Sequence, residues 1–212
     1  IIFIDDAGNA DGGTERTLNA IQEGGSCVNQ EFGLFNEAKL KMFIDNSIKP
    51  LFVIGNTCNR NEENVKALIR LLSLQDFVCI EFDYGFCPYR GPRPHEMHTR
   101  SKCDCPNNEL VSILKTVYQL KRMRAKHMFF MSREQMRMHT EAMGPAKVPQ
   151  SVLSSCFSSD HLEIFTSLRT GRSKGNGKAL IIGGRDEWQR MCKGTANSMQ
   201  ICIDSNIEYE IA

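Results

Sequence analysis

Three groups of residues in this chain have the types and spacing that do chemistry. The first is acidic. Asp5 and Asp6 close the apolar run Ile1-Ile2-Phe3-Ile4, and Asp186 with Glu187 follows Ala179-Leu180-Ile181-Ile182-Gly183-Gly184. Each run reads as a buried strand that brings a carboxylate to its C-terminal tip, and in an open α/β sheet ligands sit outside the carboxyl ends of the strands. Asp160, in a helical stretch before a basic loop, is the third acidic position. Carboxylates gathered in this way hold Mg²⁺ or Mn²⁺, hard cations that prefer oxygen ligands and serve phosphate chemistry. Any one of these acids taken alone is equally well explained as a helix cap or a solvated charge.

The second group is Cys87, His95, His98, Cys103 and Cys105, interleaved with Pro88, Pro92, Pro94 and Pro106. Zn²⁺ needs four nitrogen or sulfur ligands in a tetrahedron, and these five candidates can supply them in a stretch with little apolar content. The spacing lacks a pair of Cys-x-x-Cys knuckles, so loop residues without a metal are the alternative; a zinc held here would be structural. The third group is basic. Lys121, Arg122, Arg124 and Lys126 end one helical stretch, and Arg169, Arg172, Lys174 and Lys178 mark a Gly- and Ser-containing loop. They are candidate phosphate contacts, although solvated faces are the commoner fate of such runs. Tyr84, Phe86 and Tyr89 would stack on unpaired bases or pack in the core.

The elements that must position these groups alternate. Apolar runs at 1–4, 49–56, 76–83, 127–131 and 179–182 read as strands, and 199–203 as a terminal one. Helical spacing runs over 34–44, 61–74, 109–123, 132–143 and 152–168, with a further helix near 187–192. Thr14 is placed to cap a helix that starts near Glu15. The stretch 86–106 reads as irregular because of its prolines. Strand and helix in alternation imply an α/β fold: a parallel sheet with helices on both faces, carrying an inserted Cys/His-rich segment.

At 212 residues the chain is long enough to bury a substantial core. Its 26 Lys and Arg balance 25 Asp and Glu, so any polyanion must be held by a local patch rather than by net charge. Nine cysteines form no familiar disulfide framework, and Cys79 and Cys202 sit in apolar runs, which favours a reducing, intracellular and cytoplasmic setting. There is no apolar run long enough to span a membrane. The chain opens inside a strand, on Ile1, which reads as a fragment.

Three segments together resemble the PIN-like nucleases, and among them the NYN group that includes Regnase-type endoribonucleases: Ile1 to Asn9, the helix Ser159-Asp160-His161-Leu162-Glu163-Ile164, and Ile182 to Arg190. The resemblance implies a single PIN-like domain over 1–212 with an insertion around 86–150. It implies metal ligation by Asp5 or Asp6, Asp160 and Asp186, with Asn9 as an orienting group; Arg172, Lys174, Lys178 and Arg185 are candidate substrate contacts from their charge and place in the chain. The family's further acid falls ambiguously on Asp45, Glu62, Glu63 or Asp83. The implied activity is metal-dependent hydrolysis of single-stranded RNA. Two other readings stand beside it: a catalytically inactive PIN-like module that binds RNA, a protein or a second copy, and a receiver-like domain in which Asp83 accepts a phosphoryl group beside the Asp5-Asp6 pair.

Overall fold

The computed structural model describes residues 1–5, 13–24, 29–30, 38, 41–42, 50–57, 62–107, 112–154, 156–170, 178–181, 190 and 194–211. Contacts divide the chain into two compact units, one made of 1–92 with 103–159 and the other of 93–102 with 160–212.

The first unit is built on a six-stranded sheet, entirely parallel. In chain order it contains β1 (Ile2–Ile4), α1 (Gly13–Gly24), β2 (Asn29–Gln30), β3 (Phe52–Ile54), α2 (Glu62–Leu74) and β4 (Phe77–Glu81). The Cys/His segment follows; its helix α3 (Pro92–Thr99) is grouped, past Pro92, with the second unit, and the first unit continues with α4 (Ser112–Arg124), β5 (Met128–Phe130), α5 (Arg133–Met143) and β6 (Gln150–Val152). The strands lie in the order β2-β1-β3-β4-β5-β6. Side chains of a strand alternate between faces, and the core records that alternation. Ile2, Ile4, Phe52, Ile54, Phe77 and Cys79 join Val65, Leu68, Leu72, Val117 and Tyr118 of α2 and α4 on one face. Phe3, Val53 and Ile80 meet Leu18 of α1 on the other. With both faces covered, the inner strands β1, β3 and β5 are apolar throughout and β4 is apolar up to Glu81, as a buried parallel sheet requires. The expected α/β architecture is present, and 86–150 contributes β5 and the start of β6 to the same sheet.

In the second unit α6 (Ser159–Thr170), β7 (Ala179–Ile181), α7 (Thr195–Asp204) and β8 (Tyr209–Ile211) follow in order, with β7 and β8 paired in parallel.

Three expectations change. The stretch 86–106 contains a helix, α3, because Pro92 and Pro94 fall in its first turn, where a missing N–H breaks no intrahelical bond. The segment 199–203 lies within α7 rather than a strand: a short apolar run cannot be assigned by periodicity, and the chain turns left-handed at Gly194 to start the helix. The stretch 152–168 divides into the end of β6 and most of α6. The expected helix over 34–44 and the one near 187–192 lie largely outside the described residues.

Candidate functional site

Two centres in the described residues collect polar side chains where the core would otherwise be apolar. The first is at the carboxyl edge of the sheet. The chain passes from β1 to β2 on one side and then returns across β1 to β3 on the other, so the strand order reverses between β1 and β3. That reversal opens the crevice in which doubly wound sheets bind ligands. Asp5 stands there, one residue past β1 and 1% exposed. The ladder continues beside it, with Gly55 N–H donating to the Ile4 carbonyl at 2.8 Å. Asn56 N–H then donates to Asp5 Oδ2 at 2.7 Å. Gly55 is glycine for a steric reason: a Cβ at this position would lie 2.2 Å from Asp5 Oδ2.

The neighbouring strand tip, on β4, carries Glu81. Lys121 of α4 reaches it with Nζ–Oε1 of 2.8 Å and also donates to the Gly55 carbonyl at 3.1 Å. Both charged side chains are almost completely buried, so each depends on the other to offset desolvation. Asn56 is buried too, and its Nδ2 has no hydrogen-bond acceptor among the described residues. A buried donor left in that state costs about 1–3 kcal/mol, which a ligand acceptor would recover.

The second centre is the Cys/His segment. Its start is anchored from α5, where Gln135 Nε2 donates to the Asp83 carbonyl at 3.2 Å. His139 packs its ring among Tyr84, Phe86, Tyr118 and Phe130, with Tyr84 stacked at 5.0 Å. A turn closed by Cys87 N–H to the Tyr84 carbonyl then delivers Cys87 into the core. The sulfur, nitrogen and sulfur donors of Cys87, His95, Cys103 and Cys105 all lie within 4.8 Å of one another. Cys105 Sγ is 3.7 Å and Cys103 Sγ 3.9 Å from Cys87 Sγ. Burial, reinforced by the neighbouring Cys87 sulfur, pushes the thiols of Cys103 and Cys105 above their ordinary range. This cluster can hold a metal such as zinc. His98, the fifth candidate, is exposed near the end of α3 and is not one of the four.

The other expected site residues are distributed differently. Asp6, Asn9, Arg172, Lys174, Arg185 and Asp186 lie outside the described residues. Asp160 is exposed in the first turn of α6. Lys178 pairs with Glu208 at 2.7 Å. Asp83 lies two residues beyond β4 and pairs with Arg90. The basic cluster at the end of α4 is largely used within the fold: beyond Lys121, Arg122 donates to the Met143 and Gly144 carbonyls and Arg124 to the Leu72 carbonyl. Gly55, Asn56 and Glu81 went unrecognised as site residues. The signal for Asn56 is its place two residues past an apolar strand, close to the pattern that singled out Asp5. No helix among the described residues is long and apolar enough to cross a membrane. No known protein family, characterised protein or solved structure matches this chain.

Proposed function

We propose that the chain is a divalent-metal-dependent ribonuclease that hydrolyses phosphodiester bonds of single-stranded RNA, with Asp5 as its central carboxylate. The observation that carries this reading is the placement of Asp5 at the carboxyl edge, between the two strands where the sheet order reverses. The donor set suits a hard cation: Asp5 offers carboxylate oxygen and Asp6 follows it directly in sequence. Glu81 is not a ligand in this scheme, because Lys121 occupies it. Bound at Asp5, Mg²⁺ or Mn²⁺ would polarise the scissile phosphate and acidify an attacking water.

The chain's own contribution is positioning. The Asn56 N–H fixes the Asp5 carboxylate, Gly55 leaves it room, and the Asn56 side-chain amide has a proton to donate to a phosphate oxygen. The choice of RNA follows from the resemblance of the strand-tip motifs to the NYN nucleases.

The test is cleavage of labelled single-stranded RNA in Mn²⁺ or EDTA by the wild type and by Asp5→Asn, which keeps an oxygen to accept from Asn56. Cleavage should require the metal and fall on the order of 100-fold in the variant, with its thermal melt little changed. Undiminished cleavage by Asp5→Asn would remove Asp5 from the site. RNA binding without cleavage in any metal would instead make the chain a binding module. Asp186→Asn, run alongside, tests the carboxylate expected from the second strand-tip motif.

A further inference from the structure

We propose that Cys87, His95, Cys103 and Cys105 bind one zinc ion as a closed Cys₃His site that pins the chain between β4 and α4. Zn–S bonds of about 2.3 Å at tetrahedral angles place neighbouring sulfurs roughly 3.8 Å apart. The two sulfur separations of 3.7 and 3.9 Å bracket that edge. They are far too long for disulfides. The donor set decides the metal class. Three thiolates and an imidazole suit Zn²⁺ and are poor ligands for Mg²⁺ or Ca²⁺, which take oxygen. As the ion binds, each thiol gives up its proton to solvent and its sulfur lone pair to the metal. Four protein ligands leave no position for water or substrate, so the site is structural.

The segment has the properties of one that needs such a clamp. Its prolines limit regular hydrogen bonding, and its backbone turns left-handed at two non-glycine residues, Arg90 and Arg100, on either side of α3. Cys87 and Cys105 are part of the main core and Cys103 packs against it, so the ion would couple the segment to the sheet.

The experiment uses the full chain purified without chelator. Elemental mass spectrometry should find about one zinc per chain, retained by His98→Ala and reduced about tenfold or more in Cys105→Ser. Because Cys105→Ser could fail to fold, a second measurement is made on the wild type: zinc replaced by Co²⁺ should give the strong visible absorption of tetrahedral cobalt with thiolate ligands, bleached again by Zn²⁺. Chelation should also lower the melting temperature and open the 87–105 segment to protease. A folded wild-type chain that carries no zinc and gives no thiolate–cobalt spectrum would overturn the proposal, as would a melt indifferent to chelation or a loss in His98→Ala equal to that in Cys105→Ser.

Discussion

The carboxyl edge and the thiol cluster both bury polar side chains against the same core, but they arrange them in opposite ways. At the edge unlike groups meet: Lys121 faces Glu81, and the Asn56 N–H faces Asp5. At the cluster like groups meet, since the hydrogen bonds of Cys103 and Cys105 run to the sulfur of Cys87, another donor of the same set. At the edge each of these charges has a protein partner, and on the nuclease proposal a metal there would serve reaction rather than folding. The cluster gathers potential anions that repel one another once deprotonated, so a cation there would be part of the fold.

The severest challenge to this contrast is Lys121→Met. If the edge is compensated from within, the variant leaves a buried, unpaired Glu81 and should lose about 3–5 kcal/mol in denaturant unfolding, whether or not zinc is present. Adding Glu81→Gln should restore much of the loss, since the double variant removes both charges. A single variant as stable as the wild type would show that the pair does not hold the edge together.

Gly55→Ala is a smaller perturbation of the same edge. The new methyl group would force the Asp5 carboxylate aside and leave the Asn56 N–H without its acceptor, an expected loss of about 1–3 kcal/mol. The nuclease proposal adds that cleavage should fall more than stability does. Equal activity in the alanine variant at a temperature where both proteins are folded would separate the position of Asp5 from function.

The smallest effect concerns His139, beside the cluster's anchoring turn. Burial, the dominant cause, holds its pKa below the ordinary histidine value. The unfolded chain therefore takes up a proton before the folded one does. The stabilisation that comes from keeping this ring neutral is complete above about pH 6.5 and is lost as the pH falls from there toward the folded pKa. Melting temperatures measured from pH 7.5 downward should decline in the wild type, with zinc saturating, and decline less in His139→Phe. Identical acid slopes would assign the whole pH dependence to other groups.

Much of the framework was legible because local signals agreed with burial. The runs that became β1, β3, β4 and β5 are short and apolar on both faces, and α2, α4 and α5 show helical spacing. Strand β6 was illegible: Gln150 and Ser151 lie at the edge of the sheet and carry little apolar signal. α3 was hidden by its prolines, whose effect depends on whether they fall in the first turn or the interior of a helix.

The two centres differ in the same respect. The sequence alone determined which donors were available: a strand-tip carboxylate at Asp5, and five Cys and His candidates close enough along the chain to be recognised as a group. Tertiary structure decided their partners, because Asn56 follows β3 while Glu81 and Lys121 come from β4 and α4, and parallel strands are neighbours only through crossovers that no local pattern encodes. It turned Lys121 from an apparent surface charge into a buried counter-ion, and it chose His95 over His98. The physical reason is that donor chemistry belongs to residue type, whereas desolvation and distance depend on how distant segments pack.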